Sequence, residues 1–163
     1  MTASDTGLDD IVRASPLGRD LSPSQVARLA GLVELQSHEA RQVLAREGTV
    51  DNHLVVVVSG TLDVVKHLGT PNESVLTTLH AGDLAHELGF LDGTPRYSTL
   101  VAASAARVLV LERERLESLI DTDPRILYAI MCAIVRTVHA VQTRLSIQAT
   151  ELMNYVVKQH GRY

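Results

Sequence analysis

The stretch Gly82–Ala102, GDLAHELGFLDGTPRYSTLVA, is the densest in chemical signals in the chain. One carboxylate, Glu87, precedes apolar residues at helical spacing, Leu88 and Leu91, which predicts a short helical turn. Asp92-Gly93 marks a tight turn, and Pro95 fixes the backbone ahead of Arg96. Ser98 and Thr99 are small hydroxyl residues that lead into a strand. An arginine behind a rigid turn, beside a helix start, suits an anion. Its guanidinium presents a fork of donors matched to phosphate oxygens, and backbone N–H groups add more. A nearby carboxylate accepts hydrogen bonds from ribose hydroxyls, so the two together point to a nucleotide. The plainer reading of the same residues is a solvated ion pair.

Outward from this stretch, residues 33 to about 111 consist of short β-rich runs: VELQ, RQVLA, LVVVV, TLDVVKHL, SVLTTL, STLVAA and RVLVLE. Turn residues separate them, among them Gly48, Asp51-Asn52, Ser59-Gly60 and Gly82-Asp83. Many short strands at fairly regular spacing predict an antiparallel sandwich or barrel. Leu54–Val58 is apolar on both faces and reads as a central strand.

Helical signals flank the β-rich region. Residues 1–20 read as a loose arm with one short helix around Leu8–Ala14. Ser22 is an N-cap with Pro23 at the first helical position, which opens a helix of about three turns ending near Gly31. Glu112–Ile120 is a short amphipathic helix. A long one opens at Asp123-Pro124 and meets no breaker before Gly161. In it Met131, Ile134, Val138, Val141, Leu145, Gln148, Leu152 and Tyr155 step by threes and fours, a heptad seam with one polar position. Its first turns pack on the β domain, while the far end reaches past so small a domain and predicts a homodimer.

The 163 residues fit one domain, with 45% hydrophobic and 21% charged residues, in the range of ordinary globular proteins. A net charge of −4 gives no global attraction to nucleic acid or anionic membrane, so neither DNA nor membrane is expected as a partner. Cys132 is the only cysteine, which excludes an intramolecular disulfide and fits the cytoplasm; within IMCAIV it reads as a buried packing residue. The N-terminus lacks the pattern of a signal peptide, and Ile126–Val141, broken by Arg136 and His139, reads as short of a membrane span.

Residues 82–102 resemble the phosphate-binding cassette of cyclic nucleotide-binding domains, the family of the bacterial catabolite activator and of protein kinase A regulatory subunits. The family pattern is roughly F-G-E-L-A-L-L, a short turn, then P-R-x-A-T-V-x-A. This chain has His86-Glu87-Leu88-Gly89-Phe90-Leu91, then Asp92-Gly93-Thr94, then Pro95-Arg96-Tyr97-Ser98-Thr99-Leu100-Val101-Ala102. Ala45-Arg46-Glu47-Gly48, Asn52-His53-Leu54 and Ser59-Gly60 are similar to the family's early strands, and the helix from Asp123-Pro124 to its hinge and dimer helix. The resemblance covers residues 21 to about 147.

It implies an α+β protein: an antiparallel β-roll, jelly-roll-like, with short N-terminal helices and a long C-terminal dimerisation helix. The implied division is an arm over 1–20, the nucleotide-binding β-roll over 21–122, and the dimerisation and lid helix with its tail over 123–163. Arg96 would pair with the cyclic phosphate and Glu87 would accept from the ribose 2′-hydroxyl, with backbone N–H groups around Leu88 and Ser98 completing the cradle. His86, Tyr97, Thr99 and Gln142 complete the expected contacts. His86 stands where the family carries glycine, and Val141-Gln142 where the catabolite activator carries a Thr-Ser pair facing the purine. The ligand is thus cAMP or cGMP, with the base left open. The catabolite activator's helix-turn-helix has no counterpart before Tyr163, so a solitary receptor reporting to an unidentified protein partner is expected, with Tyr155 and Tyr163 as candidate contacts.

Other functional classes find less support. No paired His-x-His with a later glutamate exists, as a cupin-type metal site would need, so no metal is expected. Gly-x-Ser-x-Gly, His-Glu-x-x-His and P-loop patterns are absent, so no enzyme is expected. The alternative is a degenerate domain of the same fold that binds no nucleotide and serves as a dimeric interaction scaffold.

Overall fold

The structure is a computed structural model that describes residues 3–160. Its elements run α1 (Ala3–Ala14), α2 (Pro23–Ala30), β1 (Val33–His38), β2 (Val43–Ala45), β3 (His53–Ser59), β4 (Leu62–Lys66), β5 (Ser74–Leu79), β6 (Leu84–Ala85), α3 (Glu87–Asp92), β7 (Thr99–Ala102), β8 (Ala106–Glu112), α4 (Arg113–Glu117) and α5 (Pro124–His160). Two four-stranded antiparallel sheets, ordered β1-β8-β3-β6 and β2-β7-β4-β5, face each other as the expected roll. All seven sequence runs are strands. The eighth, β6, is two residues long and carries no periodic signal.

The apolar character of β3 on both faces follows from its central place. Val55 and Val57 point between the sheets, where they pack with Leu62, Leu100, Val108 and Val110. Leu54 and Val56 point the other way, onto a helical layer that includes Val26, Leu29, Phe90, Ile126, Ile130 and Ile134. Strand β8 divides its side chains in the same way, Val108 and Val110 inward, Leu109 and Leu111 toward the helices. A strand buried on both faces reads as a continuous apolar run.

Helix α2 opens on the expected N-cap, Ser22, which also forms a capping box with Gln25. The Gln25 N–H donates to Ser22 Oγ (3.4 Å) and the Ser22 N–H to Gln25 Oε1 (3.0 Å). It has eight residues, nearer two turns than three. The N-terminal segment is not loose. Val12 and Leu17 are fully buried in the helical-side core, and Asp20 pairs with Arg136 of α5 at 2.7 Å. Gly18 allows this return: a Cβ there would lie under 3.0 Å from backbone atoms of Val12 and Arg13.

Helix α5 has 37 residues, a length of roughly 55 Å. Ile126, Ile130, Ala133 and Ile134 are buried and Val138 packs partly against the same core, so the anchored part exceeds the first turns. Farther on, Leu145, Ile147, Leu152 and Met153 are exposed. The helix is long and apolar enough to cross a membrane by length and composition only, with a mean hydropathy of 1.4 in its most apolar window. Its anchored residues are, however, part of the domain core. Cys132 is half-buried beside Tyr128 rather than fully inside. Tyr163 lies outside the described residues.

Candidate functional site

Residues 84–102 wrap one side of a cleft of about 410 Å³, within the range of about 300–1,000 Å³ usual for small-molecule sites. Strand β6 ends at Ala85, and His86 turns the chain in the left-handed region (φ 65°, ψ 26°) straight into α3. Glycine costs nothing there; a side chain costs about 1 kcal/mol. Gly93 ends α3, also left-handed (φ 73°), with its N–H on the Gly89 carbonyl at 2.9 Å. Asp92 Oδ1 then accepts from the Thr94 N–H (2.9 Å) and Oγ1 (2.8 Å), which fixes the approach to Pro95 and Arg96.

The β2–β3 loop holds the Arg96 backbone from outside. Its N–H donates to the Thr49 carbonyl and its carbonyl accepts from the Gly48 N–H, both at 2.8 Å. The Arg96 side chain is only 5% exposed and makes a two-pronged pair with Asp51, Nε to Oδ2 and Nη2 to Oδ1, the latter at 3.0 Å. Burial alone would push the Asp51 carboxyl up. The Arg96 hydrogen bonds, the His53 amide and the Arg96 charge outweigh it and hold the carboxyl below its ordinary value.

Glu87, at the first position of α3, lines the cleft with no ion pair or side-chain hydrogen bond to another of the described residues. Burial pushes its carboxyl above the ordinary carboxylate value, partly offset by its own backbone N–H. Leu88, Tyr97 and Ser98 also line the cleft. The Tyr97 ring stands 72% exposed at the rim, with Lys66 Nζ 3.9 Å from its centroid and donating to the Tyr97 carbonyl at 2.6 Å. Lys66 also pairs with Glu47 at 2.6 Å, so the rim is tied to the β2–β3 loop.

Two expected contacts lie elsewhere. Thr99 is buried, and its Oγ1 accepts from the Glu47 N–H at 3.0 Å; it braces the cassette against the loop and faces away from the cleft lining. Gln142 is exposed and outside the lining, where Val141 and Arg144 of α5, three residues apart and therefore on one helical face, stand instead. A gapless count along a helix places residues to within one position, and one position is about 100° of rotation. Asp51, Arg144 and Gly89 went unmarked in the sequence. Asp51 reads there only as a turn residue, 45 positions from Arg96; Arg144 is three residues from Val141, which was the available clue.

His86 explains a second departure. Its side chain is 8% exposed, and its ring lies over Gly89: a Cβ on Gly89 would stand under 3.0 Å from Cε1, Nε2 and Nδ1. Where the family pattern reads glycine at 86 and alanine at 89, this chain has a larger residue at 86 and a smaller one at 89.

The fold and the cleft together define a domain of the β-roll class. Residues 35–123 match the family described as "Cyclic nucleotide-binding domain", and the chain belongs to that family. It is 22% identical over 153 residues, 93% of its length and 68% of the relative's, to the CRP-like cAMP-activated global transcriptional regulator of Mycobacterium tuberculosis. It is 30% identical over 112 residues to the cAMP-dependent protein kinase regulatory subunit of Eremothecium gossypii, covering 69% of this chain and 24% of that one. Among solved structures, a cyclic nucleotide-binding domain from Methylobacillus flagellatus superposes with a TM-score of 0.77 at 20% identity, over 90% of this chain and 83% of that one.

Proposed function

We propose that the chain is a non-catalytic cyclic-nucleotide receptor that takes cAMP or cGMP into the cleft and works in the cytoplasm as a homodimer, its state passed to a protein partner. The observation that carries this reading is a buried arginine, Arg96, in a cleft that also holds an unengaged carboxylate, Glu87. Arg96 pairs with the cyclic phosphate, Glu87 accepts from the ribose 2′-hydroxyl, and backbone N–H groups near Leu88 and Ser98 complete the cradle. Tyr97 borders the base. Val141 and Arg144 close the cleft from α5. The exposed Leu145, Ile147, Leu152 and Met153 on that helix support the dimer. The net charge of −4 gives no support to DNA as a partner.

Calorimetric titration with cAMP and with cGMP tests this, with Arg96→Lys as the control. Lysine keeps the positive charge beside Asp51 and loses the fork. The expected result is a Kd of about 1 μM or tighter for at least one nucleotide, roughly −8 kcal/mol, weakened about tenfold or more in the variant. No heat and no thermal shift with either nucleotide overturns the reading and leaves a dimeric scaffold with a non-binding cleft.

A further inference from the structure

The Arg96 pair with Asp51 shares its carboxylate with a third group. His86 Nε2 lies 3.6 Å from Asp51 Oδ1, has no hydrogen-bond partner, and belongs to a side chain more than nine-tenths buried in the wall of the cleft. A buried polar atom left unsatisfied costs about 1–3 kcal/mol, so its placement calls for an explanation. We propose that His86 is a proton-linked binding residue: when the anionic phosphate of the ligand engages Arg96, His86 takes up a proton from solvent, stays charged, and donates a hydrogen bond from Nε2 to the Asp51 carboxylate. This rests on the cyclic-nucleotide reading and adds to it a dependence on pH.

The charge balance supplies the reason. Arg96 is +1 and is paired from behind by Asp51 at −1, Glu87 adds a carboxylate to the cleft wall, and Arg144 of α5 adds a cation only at the exposed rim. A ligand of charge −1 adds an anion to a site whose one buried cation is already paired. Protonated His86 would restore the balance and let Asp51 lean away from the guanidinium. The groups that face His86 are Asp51 and, beyond it, His53 from the β2–β3 loop and β3, Arg96 from the turn before β7, and Asp92 from α3. Burial and then the Arg96 charge hold the imidazole below its ordinary value of about 6.5, while Asp51 and Asp92 pull it part of the way back. The ring is therefore neutral at pH 7 and gains a proton when Arg96 is screened. Binding tightens as pH falls, because the bound state holds the extra proton.

Titration of the unaltered chain with cAMP and cGMP at pH 5.5, 6.5 and 7.5, in buffers of differing ionisation enthalpy, tests this. The expected result is uptake of a fraction of one to one proton per ligand, with affinity about tenfold higher at pH 5.5 than at 7.5. Carbon-bound ring protons followed by NMR should show the His86 titration moving upward on ligand addition. His86→Gln should bind with flat pH dependence, while His53→Gln should keep the dependence. Binding without proton uptake or without movement of the His86 titration overturns this proposal alone. So does a pH dependence that survives His86→Gln or vanishes with His53→Gln. No binding at any of the three pH values overturns both it and the receptor reading.

Discussion

A side chain on residue 89 would strike the His86 ring, and a glycine at 86 would empty the place that ring fills. The two positions are therefore coupled. Gly89→Ala should destabilise the protein by about 1–3 kcal/mol as an overpacked site. Combined with His86→Gly, the same change should cost less, because the ring is gone and the left-handed backbone at 86 is relaxed. A denaturant double-mutant cycle checks this; additive effects within about 0.5 kcal/mol would refute the coupling. Glu87 shows a different trade. Because burial raises its carboxyl, its contribution to stability is fully present below about pH 4.3 and fades as pH rises through the folded value, so the ionised form is a liability at neutrality. Glu87→Gln should raise the Tm of the empty protein at pH 7, with the gain shrinking toward pH 4, as scanning calorimetry would show. The same change should weaken nucleotide binding about 10- to 100-fold through loss of a charged acceptor. Neither relation is legible in the sequence. It shows which residues carry charge, but not that Glu87 lacks a partner while Arg96 has one 45 positions away.

At the scale of elements, legibility followed periodicity. The strand runs declared themselves because β3 and β8 are buried on both faces, and α2 because its cap uses neighbours in sequence. Strand β6 is too short to show a period, and its place at the sheet edge depends on pairing with Val55 and Val56. The N-terminal segment misled for a physical reason. Residues 1–20 read as a loose arm, yet in the fold Gly18 is a point of close approach against the backbone of Val12 and Arg13. That approach seats α1 on the core, so Val12→Ala should cost about 2 kcal/mol, as for buried core truncations. A loss within about 0.5 kcal/mol by chemical denaturation would mean that the segment does not contribute to the folded core.

At the scale of the whole molecule, one helix takes part in the core, the cleft and the exposed seam. Ile126, Ile130 and Ile134 bury themselves in the domain, Val141 and Arg144 line the cleft, and Leu145 and Leu152 are exposed. Replacing Leu145 and Leu152 together by glutamate should leave the circular dichroism of the β-roll unchanged and give a monomer in sedimentation. A dimer that persists would place the self-association elsewhere.

After its opening Pro124, α5 contains neither proline nor glycine, so it has no joint along its length. From Val141 to His160 the helix advances about 28 Å. A tilt of about 10° set by whatever occupies the cleft at Val141 would therefore swing the far end by roughly 5 Å. With a ligand in the cleft the helix would act as a lever, its short arm over the cleft and its long arm beyond the β-roll, and a change too small to disturb the sheets would arrive at the tip as the width of a side chain.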